Sequence, residues 1–210
     1  MKIDTGESRR MVVGTALAVE GGLVLVALVL GWLFGQPLLE QIDWTLRGIL
    51  LGLAAAVPML AALVLVTRWP VGPFAELEEV VRRTIVPLFR SCTLLDLAVI
   101  SALAGLGEEM LFRGVAQAGL ERASGSPWLA LAVASVLFGL AHPITLAYAV
   151  LAGLIGVYLG WLLLVTDNLL VPIVTHAAYD FAALVYLLRG GKTPPAGDTA
   201  AEEYGDEWSI

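Results

Sequence analysis

The sequence has few of the charged residues that cover a soluble protein. Of its 210 residues, 15% are charged and 59% are hydrophobic, whereas soluble domains average roughly 25% and 45–50%. Several of its apolar segments reach the ~20 residues that a helix needs to cross roughly 30 Å of hydrocarbon. The composition excludes a soluble domain and predicts an all-α, polytopic membrane bundle of about six transmembrane helices.

Cysteine, histidine and lysine are also scarce. Cys92 is the only cysteine, which excludes an intrachain disulfide and a metal cluster built from thiolates. His142 and His176 are the only histidines, and both lie in or beside apolar segments. Ten of the twelve basic residues are arginine. That bias indicates a GC-rich, bacterial genome and hence a bacterial inner (plasma) membrane.

The apolar segments divide the chain into three parts. Residues 1–93 hold two spans and, between Arg68 and Arg90, an amphipathic helix that is expected to lie at the membrane interface. Residues 94–190 hold four more spans, and residues 191–210 form an acidic tail that is expected to be disordered. The tail carries five of the acidic residues behind the formal net charge of −7. The predicted spans are 11–34, 46–66, 94–120, 128–141, 144–165 and 169–188.

The distribution of basic residues predicts the orientation. With both termini in the cytoplasm, Arg113 lies within a span, and two basic residues fall on the far side, Arg47 and Arg122. The other nine lie on the cytoplasmic side, as the positive-inside rule favours. They are Lys2, Arg9, Arg10, Arg68, Arg82, Arg83, Arg90, Arg189 and Lys192.

Ionisable side chains inside the predicted spans are the candidates for function. Each costs ~2.5–3.5 kcal/mol on insertion scales, so it needs a partner or a role. Apart from Asp96 in the first turn of the third span, six lie within or at the ends of the last four spans. They are Glu108, Glu109, Arg113, His142, His176 and Asp180.

Helical spacing separates their expected roles. Glu109 and Arg113 are four residues apart, which predicts an ion pair that either stabilises the bundle or takes part directly in catalysis. Glu108 points about 100° away from Glu109 and keeps no local cation, so it suits a general base for water. His176 and Asp180 are also one turn apart, so the Asp can accept from one ring nitrogen. The other nitrogen would then serve substrate or water.

In the order in which they occur, these residues form three motifs that resemble those of a known family. The motifs are Glu108-Glu109-x-x-x-Arg113, Phe138-x-x-x-His142 and His176-x-x-x-Asp180. Over residues 94–188 the chain resembles the CAAX protease and bacteriocin-processing (CPBP, or Abi) membrane proteins, which include the type II CAAX prenyl endopeptidases.

The resemblance implies an intramembrane glutamic endopeptidase. Its substrate would be a membrane-associated or lipidated protein or peptide. Glu108 and His142 would activate a water, and His176 would stabilise the oxyanion. The prenyl endopeptidases usually have Asn at the position of Asp180. Because an ionised Asp only accepts hydrogen bonds, Asp180 is expected to orient His176 instead.

Other readings of the same residues stay open. Glu108, His142 and His176 would also make a zinc site, although the family implies no catalytic metal and no cofactor is expected. A proton-coupled transporter or a non-catalytic membrane scaffold would also bury such residues. The expected partners are membrane lipids and a membrane-associated substrate, with no nucleic acid.

The sequence does not explain two details, the depth of the first motif and the role of Glu20. Counting ~1.5 Å per residue places Glu108 about 21 Å from the cytoplasmic start of its span, whereas His142 falls near a cytoplasmic end. The two depths do not match. Glu20 has no assigned partner in the first span. Asp96 is expected to act as an N-terminal helix cap.

Overall fold

A computed structural model describes residues 5–190, apart from the side chains of Thr5, Pro73 and Glu76. All six predicted apolar segments are helical, with ends within a few residues of the predicted ones except for the amino-terminal start of the first and the carboxyl end of the third. The chain is an integral membrane protein built as a polytopic helix bundle, which confirms the predicted fold class. The acidic tail predicted to be disordered, 191–210, lies outside the described residues.

The first two helices run from one side of the bundle to the other and back. They are α1, Thr5–Leu33, and α2, Leu46–Arg68. The hydroxyl of Thr45 caps α2 by accepting from the backbone N–H of Gly48 at 3.1 Å. Such a cap satisfies one of the free N–H groups at a helix start.

A short bent segment follows, as the amphipathic pattern predicts. It consists of α3 (Pro73–Val80), a π-helical turn (Val81–Ile85) and α4 (Val86–Phe89). Arg82 pairs with Glu78 at 2.7 Å on its polar face. Its apolar face packs inward, where Leu77 is 7% exposed.

The next helix carries the first motif. It comprises α5 (Leu94–Glu109), a π-helical segment (Met110–Gln117) and α6 (Ala118–Ser124). Thr93 is the N-cap, and Asp96 accepts from its backbone N–H at 2.7 Å to complete a capping box. Asp96 therefore contributes to the cap, as predicted, but from the third helical position.

The remaining helices carry the other two motifs. They are α7 (Pro127–Leu140), α8 (Leu146–Thr166) and α9 (Leu170–Gly190). By length and composition, α1, α2, α8 and α9 can each cross a membrane, and Leu77–Phe89 with Leu94–Ser124 can form a fifth span bent by 115°. With 14 residues, α7 extends ~21 Å. It is thus too short to cross alone, so four or five spans replace the six expected.

Close helix packing sets the position of the motifs. A Cβ atom built on Gly105 in α5 would lie 2.8 Å from the backbone of Ile173 and Ala177 in α9, nearer than real Cβ atoms approach. Only glycine allows this contact. It brings the face of α5 that holds Glu109 against the face of α9 that holds His176.

Helix α1 runs parallel to α5. Near its start, Arg9 forms two hydrogen bonds with Asp96, at 2.6 and 2.8 Å. Eleven residues further along each helix, or ~16 Å at ~1.5 Å per residue, the backbone of Glu20 lies against Gly107. A Cβ atom on Gly107 would lie 2.9 Å from the carbonyl oxygen of Glu20. The two helices therefore keep the same register over three turns, and Glu20 lies level with the first motif.

Candidate active site

Residues from three separate helices line one cavity inside the bundle. Glu108 on α5, His142 after α7, and His176 and Asp180 on α9 all face it, and its volume is about 300 Å³. The prediction that the first carboxylate and the two imidazoles share a common space is therefore met in the geometry. Apolar residues from α2, α3, α4 and α8 form the rest of its wall.

Glu108 and His142 lie closest together across the cavity. Nε2 of His142 is 3.7 Å from Oε2 of Glu108, which is too far for a direct hydrogen bond. The other ring nitrogen, Nδ1, lies 2.8 Å from the carbonyl oxygen of Phe138. Because a carbonyl oxygen only accepts, Nδ1 carries a proton and the neutral ring leaves Nε2 as an acceptor.

The structure also removes the mismatch in depth between these two residues. Helix α6 ends at Gly125, which has a left-handed φ of 69°, and α7 starts two residues later. Glu108 and His142 lie about equally far from this turn, each roughly 16 residues or ~24 Å away. The prediction that His142 lies near the cytoplasmic face is wrong, because it treats residues 128–141 as a complete span. Helix α7 begins at this turn and, with 14 residues, ends at about the depth of Glu108.

Glu109 and Arg113 form the predicted ion pair, at 3.0 Å from Nη1 to Oε1. Both side chains are fully enclosed, at 0% and 1% exposure, and neither lines the cavity. Nη2 of Arg113 also donates to the carbonyl oxygen of Gly156 on α8 at 3.0 Å. The pair thus sits behind the cavity and joins α5 to α8.

The contacts of His176 differ from the prediction. Its Nδ1 lies 2.8 Å from Oε1 of Glu109, and the carboxylate, paired with Arg113, accepts this bond. Nε2 faces Oδ2 of Asp180 at 3.4 Å. Asp180 lies beside one ring nitrogen, as expected, but the expectation that the other nitrogen is free for substrate or water is wrong, because it bonds Glu109. Glu109, on another helix, holds the ring.

Phe138 packs at the centre of these groups. Its ring lies 4.7 Å from the His142 ring and 6.0 Å from the His176 ring, measured between centroids. The Arg113 guanidinium sits 4.4 Å from the centre of the Phe138 ring, within the range of a cation–π contact. Phe138 thus packs between the two imidazoles and Arg113, and it also lines the cavity.

From the sequence, Glu20 was left without a partner and Ser101 was not identified. Both line the cavity, and one oxygen of each is buried without a hydrogen-bond partner in the described part of the chain. A lone carboxylate in the middle of an apolar span was a signal for Glu20. Nothing in the sequence marks Ser101, because serines are common in membrane helices.

The alternative zinc set was tested against the same geometry. Within residues 5–190, no three side chains of the ligating types His, Cys, Asp and Glu are grouped as a metal would require. Both ring nitrogens of His176 face carboxylates outside the proposed set, those of Glu109 and Asp180, so neither is directed toward an ion shared with Glu108 and His142. In this arrangement, the proposed ligands do not fit a shared ion.

The fold and the cavity define an integral membrane protein with ionisable groups enclosed in its helix bundle. Residues 90–182 match the family described as type II CAAX prenyl endopeptidase Rce1-like. This segment contains all three motifs, and the match supports the assignment to the CAAX protease (CPBP) family that the resemblance predicted. The matched family indicates a protease. No curated protein and no solved structure matches the chain.

Proposed function

We propose that the chain is an intramembrane endopeptidase in which Glu108 and His142 activate a water molecule. The observation that carries this proposal is the 3.7 Å gap between Oε2 of Glu108 and Nε2 of His142, inside the cavity. One water oxygen can lie ~2.8 Å from both atoms. The substrate is a membrane-associated or lipidated protein or peptide.

The hydrogen-bonding state of the two groups favours a nucleophilic water. An ionised Glu108 only accepts, and Nε2 of His142 also accepts, because Nδ1 donates to the Phe138 carbonyl. A water between them donates both of its protons and directs its lone pairs away, toward a peptide carbonyl carbon. On attack, Glu108 takes one proton and later delivers it to the leaving amine.

His176 is proposed to stabilise the oxyanion that forms. Its Nδ1 is fixed by Glu109, so Nε2 is the nitrogen nearest the cavity, beside Asp180. The protonated ring can donate from Nε2 to the substrate oxygen. Asp180 keeps the orienting role, because its carboxylate faces this nitrogen at 3.4 Å.

Glu109 and Arg113 are assigned to positioning. Arg113 holds Glu109, and Glu109 holds His176, through contacts of 3.0 and 2.8 Å. Neither residue touches the space available to substrate. Their effect on catalysis is therefore exerted through the orientation of the imidazole.

The proposed setting is a bacterial inner membrane with both termini in the cytoplasm. The contact of Arg9 with Asp96 places the starts of α1 and α5 on one side of the bundle. Arg90 directly precedes α5 on that side, and the positive-inside rule makes it cytoplasmic. The cavity includes Phe89 at the end of α4, so it would be reached from the cytoplasmic leaflet.

The test is a comparison of Glu108→Gln with the unchanged protein. Substitution by the amide keeps the size of the side chain and removes the base, so cleavage is expected to fall by at least 10²-fold. The assay compares the membrane proteomes of cells that carry each form and looks for an uncut protein that accumulates with the variant. Glu40→Gln, a change in the exposed loop between α1 and α2, is the matched control. If both variants leave the proteome alike, the proposed function is wrong.

A further inference from the structure

The carboxylate of Glu20 stands apart from the other charged groups of the cavity. Glu108 faces His142, Asp180 faces His176, and Glu78 pairs with Arg82. Glu20 is half-buried, and its Oε2 is enclosed with no hydrogen-bond partner in the described part of the chain. Of the four cavity carboxylates, it is the one without an ion-pair partner among the described residues.

Apart from the ring of His176, which faces Asp180, the described residues of the wall offer no cation to Glu20. Of the described residues that line the cavity, four are acidic and none is Lys or Arg. An enclosed carboxylate is costly unless it gains a cation or several hydrogen bonds. A positively charged group that enters the cavity would therefore be favoured beside Glu20.

Ser101 adds an independent sign of a ligand. It lines the cavity from α5, is 1% exposed, and its Oγ has no partner within residues 5–190. A buried hydroxyl without a partner is rare in native structures. Ser101 lies two turns before Glu108, ~10 Å along the helix. It therefore provides a second polar contact for a molecule that extends through the cavity.

The position of Glu20 in the cavity suits a contact with a bound substrate. Its backbone packs against Gly107, so it lies level with Glu108 but on the neighbouring helix. A peptide whose carbonyl faces Glu108 and His142 would place the side chain of a nearby residue toward α1. An ammonium or guanidinium group only donates hydrogen bonds, which suits a carboxylate and a hydroxyl.

We propose that the cavity selects peptides in which a lysine or arginine lies near the cleaved bond, and that this basic side chain pairs with Glu20. This inference rests on the proposed endopeptidase function. The apolar wall contributed by α2, α3 and α8 would accept the neighbouring apolar residues. The preferred substrate is thus a basic residue within an apolar, membrane-associated segment. Selection of this kind comes from a helix that lies outside the matched segment 90–182.

The first experiment measures selectivity. The full chain in lipid nanodiscs is incubated with a chymotryptic digest of bacterial membrane proteins, and the products are sequenced by mass spectrometry. Lys and Arg are expected to be enriched at one position beside the cut. Glu20→Gln should reduce that enrichment about tenfold, since a half-buried charge pair is lost. Glu20→Lys should replace it with enrichment of Asp and Glu.

Glu7→Gln is the matched control, because Glu7 lies on the same helix but is exposed. It should keep the enrichment. The proposal is overturned if Glu20→Gln retains the preference for basic residues. It is also overturned if a folded Glu20→Gln protein loses all cleavage regardless of sequence, since Glu20 would then act in the reaction itself.

A binding measurement separates this inference from the proposed function. Decylguanidinium and decanol share an apolar chain but differ in charge, and each is added to the purified protein while its thermal unfolding is followed. Decylguanidinium should raise the unfolding temperature more than decanol does, and Glu20→Gln, but not Glu7→Gln, should abolish the difference. Equal effects of both compounds on all three proteins would refute the cation site. Binding that depends on Glu20 without any cleavage that depends on Glu108 would refute the endopeptidase alone.

Discussion

Replacing Arg113 by methionine should destabilise the protein strongly, because it leaves a carboxylate enclosed without its cation. Arg113 and Glu109 are 1% and 0% exposed, and 3.0 Å separates their charged atoms. Removing one partner of such a pair typically costs about 3–5 kcal/mol. The variant also loses a hydrogen bond to Gly156 and the contact with the Phe138 ring. His176 remains bonded to Glu109 and offsets part of the loss, so we expect about 3 kcal/mol.

The free energy of unfolding can be measured in mixed micelles. Increasing the fraction of dodecyl sulfate unfolds the helix bundle, and the fluorescence of the six tryptophans reports the transition. Arg122→Met is the matched control, since Arg122 is exposed and bonds only the carbonyl oxygen of Gly35 in the described region. It should cost no more than about 1 kcal/mol.

A double variant tests the cause of the loss. In Arg113→Met with Glu109→Gln no carboxylate remains to be neutralised, and the glutamine oxygen can still accept from Nδ1 of His176. At least half of the lost stability should return, because the penalty belongs to the unpaired charge. The reasoning fails if Arg113→Met costs no more than Arg122→Met, or if the two single losses simply add in the double variant.

Three further outcomes are expected. Asp180→Asn should retain cleavage and Asp180→Ala should lose it, because the side chain orients His176 through hydrogen bonding. The kcat of the purified variants tests this, and loss of cleavage in both variants would show that the negative charge is required. Arg9→Met should lower the unfolding free energy by less than Arg113→Met, because the contact of Arg9 with Asp96 is open to water; an equal loss in the same assay would contradict this. Gly139→Leu should destabilise by ~1–3 kcal/mol or more, since its Cβ would lie 2.6 Å from a carbonyl oxygen of α8; Gly14→Leu, with nothing within 4 Å, should be neutral by the same measurement.

Contacts within one helix were predictable from the sequence. Glu109 and Arg113 are four residues apart, and that spacing alone fixes them as neighbours. The helical segments themselves followed from apolar length, although α7 is shorter than a span. The capping role of Asp96 was evident from its place in the first turn, but its bond to Arg9 joins residues 87 positions apart.

Contacts between helices were not predictable in the same way. His176 has a carboxylate one turn away, and yet it bonds Glu109 because Gly105 lets α5 and α9 approach closely. The distance of Glu108 from His142 depends on where α7 starts and stops, which apolar length alone does not define. Glu20 could be recognised as costly, but its neighbours depend on the parallel packing of α1 on α5.

The parallel packing of α1 on α5 determines which part of the chain must be kept in any shortened protein. A fragment trimmed to residues 90–182 would retain every residue of the three motifs, yet it would lack α1, α2 and the last turns of α9. The side of α5 around Gly107 would then face lipid, and the cavity would be open on the side that α1 covers. Such a fragment should neither hold water apart from the hydrocarbon nor keep its helices in register, so the chemistry of the matched segment depends on helices that the family match does not include.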